Sequence, residues 1–278
     1  MNLLKSIWTV TWKIVVFLML WGILYAPLLV PVANKLQQTE QTTSPQTQLY
    51  FDTASAVTIL VAAWGMTHFI DKRPFASLGF ALQHIIRDVL VGIGIGAGMM
   101  LIAVAILWIA GWAKHQAVVG FSGSALALAA LAMVANTITQ EVLVRGYIQQ
   151  TIQKSWGSTV AIILSAIIFT LLHAGAIKGG LLPVVNLFAA GVLLGLAYTT
   201  TGNLWLPIAL HFVWNFFQGP VLGLTVSGQS VNSGWQLLVL KGPVIFTGGA
   251  FGLEGGLVAT LATVLGIVAL LLFFRQES

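Results

Sequence analysis

Cysteine is absent from the chain and charge is scarce: twelve Lys and Arg and seven Asp and Glu occur in 278 residues. The first absence excludes disulfides, thiolate metal sites and a cysteine nucleophile. The second excludes a soluble globular protein. Only 7% of residues are charged and 58% are hydrophobic, whereas an average soluble domain carries about 25% charged residues. A core of this size without a polar surface must be covered by lipid. Clustered Lys and Arg with interleaved aromatics are also missing, which sets nucleic-acid binding aside. The net charge of +5 is spread over loops and suits contact with anionic lipid.

What is present is a series of long apolar stretches. Eight of them come close to the ~20 residues a bilayer core requires: Ile7–Ala33, Thr53–Ile70, Val89–Trp112, Ala125–Ile152, Thr159–His173, Leu182–Thr200, Leu204–Leu222 and Leu257–Phe274. The expected fold is all-α, a polytopic membrane helix bundle of about eight transmembrane helices. Residues 1–278 read as a single transmembrane domain with a functional core at 125–222. The run after Lys13 is longer than a signal-peptide core and Pro31-Val-Ala33 is a poor cleavage match, so an uncleaved first helix is expected. The Gln- and Thr-rich Asn34–Gln48 reads as a mobile tether. Asp71–Asp88 reads as an amphipathic segment at the headgroup level, and Gly234–Phe246 as a re-entrant or interfacial piece. Gly92, Gly94, Gly96 and Gly98 lack the strand and acid of a nucleotide loop and read as small residues for close helix packing.

With eight spans, one side carries Lys5, Lys13, Lys72, Arg73, Arg87, Lys154 and Arg275, and the other Lys35, Lys114, Lys178 and Lys241. Seven against four favours both termini in the cytoplasm of a bacterial plasma membrane.

Few polar residues interrupt the spans. Glu141 and Arg145 stand four apart in Gln140-Glu-Val-Leu-Val-Arg145, the favourable order for an ion pair along one helix face. In lipid such groups are costly, and they usually pair, face the protein interior and mark a working site. Phe169-Thr-Leu-Leu-His173 puts an aromatic one turn before a histidine, and His211-Phe-Val-Trp-Asn215 puts a histidine and an amide on one face. A carboxylate and a neutral imidazole can share a water, one removing its proton and the other holding it. A second imidazole and an amide are donors suited to an oxyanion. Such a set can hydrolyse an amide without a serine or cysteine. Glu141, His173 and His211 are also a zinc set by residue type, although no H-E-x-x-H pattern supports it. Each residue also has a plainer reading: a structural ion pair, a packed histidine, interhelical polar glue. Glu254, among glycines, reads as a cap or a paired group.

Together, Gln140-Glu141-x-x-x-Arg145, Phe169-x-x-x-His173 and His211-x-x-x-Asn215 resemble the three motifs of the CAAX-protease and bacteriocin-processing (CPBP, or Abi) family of intramembrane endopeptidases. The likeness extends to Gly202-Asn-Leu-Trp-Leu-Pro207 and Phe251-Gly-Leu-Glu-Gly-Gly256. The resemblance implies an eight-helix enzyme that cleaves membrane-associated substrates, such as prenylated CAAX carboxyl termini or peptide precursors. It places Gln140, Glu141, Arg145, His173, His211 and Asn215 at the catalytic site, with Arg145 orienting the acid. It departs at one position: Gln140 stands where the family has its first glutamate, and a glutamine cannot serve as a general base. Two readings follow. Either Glu141 supplies the base while Gln140 positions water or substrate, or the chain is an inactive relative that acts in bacteriocin immunity or as a membrane scaffold.

Overall fold

A computed structural model of the protein describes residues 3–36, 44–116, 122–173, 175–230 and 236–275. Its long helices are α1 (Leu3–Leu36), α2 (Pro45–Gly65, continued as a wider π turn to Ile70), α3 (Ile85–Ile109) and α4 (Gly123–Glu141). A π segment, Val142–Gln149, carries α4 into the short α5 (Gln150–Trp156). After α6 (Ser158–Leu172) and α7 (Gly175–Gly179) come α8 (Leu181–Thr201) and α9 (Trp205–Phe216, continued as a π turn to Val221). The short α10 (Val244–Thr247) precedes α11 (Leu257–Arg275). The molecule is a polytopic helical bundle, and each of the eight expected spans is a helical rod. Six are long and apolar enough to cross a membrane: Leu3–Val30, Pro45–Ile70, Ile85–Ile109, Gly123–Trp156, Leu181–Thr201 and Leu257–Arg275; Ser158–Leu172 is shorter. Exposed Ile, Leu, Val and Phe side chains line the outer faces of α1, α3 and α11. That is the surface lipid covers.

The helix ends follow from local chemistry. Ser44 caps α2, its Oγ accepting from Thr47 N at 3.2 Å, with Pro45 in the first turn. Ser122 caps α4 in the same way on Ala125 N. Gly202 ends α8 in a left-handed turn at φ 65° and donates to Tyr198 O, a conformation glycine adopts without strain.

Three expectations about the connections change. Of the Asn34–Gln48 tether, residues 37–43 lie outside the described residues, 34–36 end α1, and the last part, from Ser44, is the capped start of α2. The Asp71–Asp88 connection docks on protein along one side while Leu82 and Ile86 stay exposed. Its 3-10 turn Phe75–Leu78 buries Leu78 completely. Tyr198 Oη donates to Leu78 O, Leu204 N to Gly79 O and Trp205 Nε1 to Ala81 O. Within Gly234–Phe246, Leu238–Leu240 forms a strand, β2, antiparallel to β1 (Ala113–His115), with Ala113 opposite Leu240. That segment closes over the end of α3.

The glycine run of α3 divides by helix face. A Cβ on Gly92 would stand 2.6 Å from Leu206 O and one on Gly96 2.9 Å from Leu210 O, whereas Gly94 and Gly98 meet nothing. Two of the four let α3 lie against the backbone of α9, which carries His211. Gly92→Val is expected to overpack this contact at a cost of about 1–3 kcal/mol, while Gly94→Val leaves stability unchanged. Thermal melting in detergent checks both. Equal melting of the two variants would contradict the packing.

Candidate active site

The rod from Gly123 to Trp156 crosses the middle of the bundle, and every residue of its π segment, Val142–Gln149, is buried. A stretch enclosed on all sides must satisfy its polar groups internally. It does so on α8. Arg145 Nη2 donates to Gly191 O at 3.1 Å, and one turn on Gln149 Nε2 donates to Gly195 O at 3.0 Å. Gly191 also sits so close to α6 that a Cβ there would be 2.8 Å from Ala166 Cα. The glycine spacing of α8 therefore lets two helices approach and leaves carbonyls within reach of the rod.

Glu141 and Arg145 are both fully buried and form the expected ion pair, Nη1 to Oε1 at 3.1 Å. The Arg145 guanidinium lies 4.5 Å over the Phe169 ring, where it gains cation–π attraction. The same Glu141 Oε1 stands 2.8 Å from His211 Nδ1. A carboxylate only accepts, so Nδ1 carries the hydrogen, and in the neutral imidazole the lone pair is then on Nε2. Glu141 lies behind this contact and lines neither of the cavities described below.

His173 follows α6, where its Nδ1 lies 2.8 Å from Phe169 O. A carbonyl can only accept, so this imidazole also carries its hydrogen on Nδ1 and leaves Nε2 as an acceptor. Phe169 stands between the two histidines, its ring centroid 4.6 Å from His173 and 5.8 Å from His211. The expected roster therefore gathers at one place, with α4, α6 and α9 each bringing one motif.

Two cavities meet here. A tight one of about 50 Å³ is lined by His173, His211, Asn215, Trp214 and Glu254, among others. A larger one of about 420 Å³ is lined by Asp52, Asn136, Gln140, His173 and Asn215, with Ser230 and Pro45 farther out. His173, Asn215 and Ser227 border both. The larger cavity runs from mid-α4 towards the Pro45 end of α2. The opposite end of the bundle is where Trp156 Nε1 meets Ser6 Oγ and Lys13 pairs with Asp71.

Gln140 lines the larger cavity, and its Nε2 donates to Asn136 Oδ1 at 2.7 Å. Its buried Oε1 has no hydrogen-bond partner among the described residues. Glu254 is paired, as its glycine-rich setting suggested: it accepts from Trp214 Nε1 and from the backbone and hydroxyl of Ser227. Burial pushes its carboxyl up, and the Ser227 and Trp214 hydrogen bonds pull it back down. These contacts hold the 223–230 loop against α9 over the cavities. Asn186 Nδ2 adds bonds to Glu254 O and Gly256 O.

Glu141, His173 and His211 do not make a metal centre by geometry. Among the described residues no three His, Asp or Glu side chains stand together as a candidate ion site, and Glu141 Oε1 is already committed to Arg145 and His211.

Sequence reasoning missed Asp52, which reaches the larger cavity from α2 and accepts from Asn136 Nδ2 at 3.0 Å and Gln48 Nε2 at 2.6 Å. A carboxylate inside an apolar span was a signal that could have found it. Ser227, in a polar connection, had no such signal.

Residues 122–217 match a family model described as type II CAAX prenyl endopeptidase Rce1-like. The match covers all three motifs and bears out the resemblance to the CPBP family. No curated protein matches the chain.

Proposed function

We propose, from a chain whose residues 122–217 match the model of the Rce1-like type II CAAX prenyl endopeptidases, an integral membrane endopeptidase with residues 125–222 as its catalytic core. It hydrolyses a peptide bond near the carboxyl end of a membrane-associated, CAAX-type substrate. The observation that carries this reading is the 2.8 Å contact between buried Glu141 and His211. A carboxylate that holds Nδ1–H fixes the imidazole as a base at Nε2 and stabilises the imidazolium formed when it takes a proton.

The chemistry balances without a protein nucleophile. A water in the cavity gives one proton to His211 Nε2 while its oxygen bonds to the scissile carbonyl carbon. His173 Nε2 accepts the water's second hydrogen and so orients it. The carbonyl oxygen becomes an oxyanion, to which the Asn215 amide donates. With its Nδ1–H given to Phe169 O, neutral His173 is an acceptor, so Asn215 rather than a second imidazole supplies this N–H. The imidazolium of His211 then passes its proton to the leaving nitrogen as the C–N bond breaks. Glu141 keeps its charge throughout, and Arg145 holds it.

Gln140 favours a second reading, in which the chain binds such a peptide without cutting it and serves immunity or scaffolding. One experiment separates them. Purified protein in liposomes is mixed with a prenylated peptide ending in a CAAX sequence, and products are read by mass spectrometry. Release of the carboxyl-terminal fragment by the native chain, abolished in His211→Ala at equal abundance, is expected. Binding without cleavage would sink the enzymatic reading and leave the other.

A further inference from the structure

Asp52, Asn136 and Gln140 form a chain of hydrogen bonds whose direction is fixed by its first member. An ionised carboxylate can only accept. Asp52 Oδ1 therefore takes its hydrogen from Asn136 Nδ2, at 3.0 Å. With its amino group used, Asn136 presents Oδ1, and this accepts from Gln140 Nε2 at 2.7 Å. Gln140 is left with its carbonyl oxygen, Oε1, which is buried, unpartnered among the described residues and part of a side chain bordering the larger cavity. Gln48 Nε2, at 2.6 Å from Asp52 Oδ2, anchors the far end. An amide alone could turn either face to the cavity. This one cannot turn without setting acceptor against acceptor, at Asn136 Oδ1 or, if Asn136 turns with it, at Asp52 Oδ1.

We propose that Asp52 is a positioning residue that fixes the Gln140 amide with its carbonyl oxygen, buried beside the larger cavity, left free as the acceptor for a peptide N–H or a water that a bound substrate brings to it. The proposal rests on the cavity being the peptide-bond site. It gives residue 140 a use that requires no titratable group, and it explains why glutamine matches this chain. A glutamate at 140 would have no hydrogen for Asn136 Oδ1, and the Asn136 amide would stand between two carboxylates with one amino group to share.

The reciprocal swap tests it. Gln140→Glu alone is expected to melt lower than the native chain in detergent, and increasingly so as pH rises and both acids ionise. Adding Asp52→Asn lets the chain run in reverse, from residue 52 through Asn136 to residue 140. The double variant should then recover the native melting midpoint and lose the pH dependence. A double variant no more stable than Gln140→Glu would overturn the chain. Its use is read separately in Asp52→Ala. With a native chain that cleaves the peptide, kcat should fall about tenfold while KM stays within about twofold, the loss expected for one oriented hydrogen bond. Unchanged kcat would overturn the positioning role. With a native chain that binds without cleaving, the same variant is read by peptide Kd, expected to weaken about tenfold. An unchanged Kd overturns the role there, so failure of the enzymatic reading and failure of this one give different results.

Discussion

Glu141→Gln is expected to lower kcat on a prenylated peptide by about 10³- to 10⁴-fold, the scale seen when the carboxylate behind a catalytic imidazole is replaced by its amide. The reason lies in the 2.8 Å contact to His211 Nδ1. An amide at 141 can turn its amino group to that nitrogen, which pushes the hydrogen to Nε2 and converts the base into a donor. Even with its oxygen facing His211, the amide has no charge to stabilise the imidazolium. KM should change little, because Glu141 lines neither cavity and does not touch substrate. Initial rates in liposomes, normalised to folded protein, check this. Retention of more than about a tenth of the native kcat would mean that His211 is not the base.

Arg145→Met is expected to unfold the protein more readily than any change to the histidines. The guanidinium is completely buried and pairs with an equally buried carboxylate. Methionine fills similar space and leaves Glu141 with a single neutral partner, His211. Removing one member of a buried pair costs about 3–5 kcal/mol, equivalent to a fall in melting midpoint on the order of 10 °C for a chain of this size. The double variant Glu141→Gln/Arg145→Met removes the orphaned charge and should melt well above the single one. Melting curves in detergent decide it. If the single and double variants melt alike, the cost comes from the lost bond to Gly191 O and the Phe169 contact instead of from charge.

Much of this arrangement was legible in the chain because lipid makes polar residues conspicuous. The apolar runs fall on helices, six of which, among the described residues, are long and apolar enough to cross a membrane, since little but length and hydropathy decides a span. Glu141, Arg145, His173, His211 and Asn215 stood out for the same reason, each an exception among Leu, Ile and Val. Harder to read was the direction in which a side chain faces. Gln140 and Glu141 are neighbours about 100° apart around the helix, and sequence order cannot tell which meets the cavity and which lies behind an imidazole. The partner of Asp52 lay beyond reach for another reason. Asp52 joins Asn136 across 84 positions, a pairing that depends on α2 lying against α4. The docking of Leu78 and the β1–β2 pairing likewise depend on where distant segments come to rest.

The larger cavity reaches towards the Pro45 end of α2, away from the end where Lys13, Asp71 and Trp156 gather. That direction makes sidedness a filter on what the protein can meet. If both termini lie in the cytoplasm, the scissile bond has to be offered from the far compartment, as a secreted or surface-anchored precursor would offer it. A lipidated tail made and kept in the cytoplasm reaches the same opening only if the whole bundle is inserted the other way up. Labelling single cysteines placed at position 3 and at position 45, from each side of sealed vesicles, would read the compartment directly, and the native absence of cysteine makes the background clean.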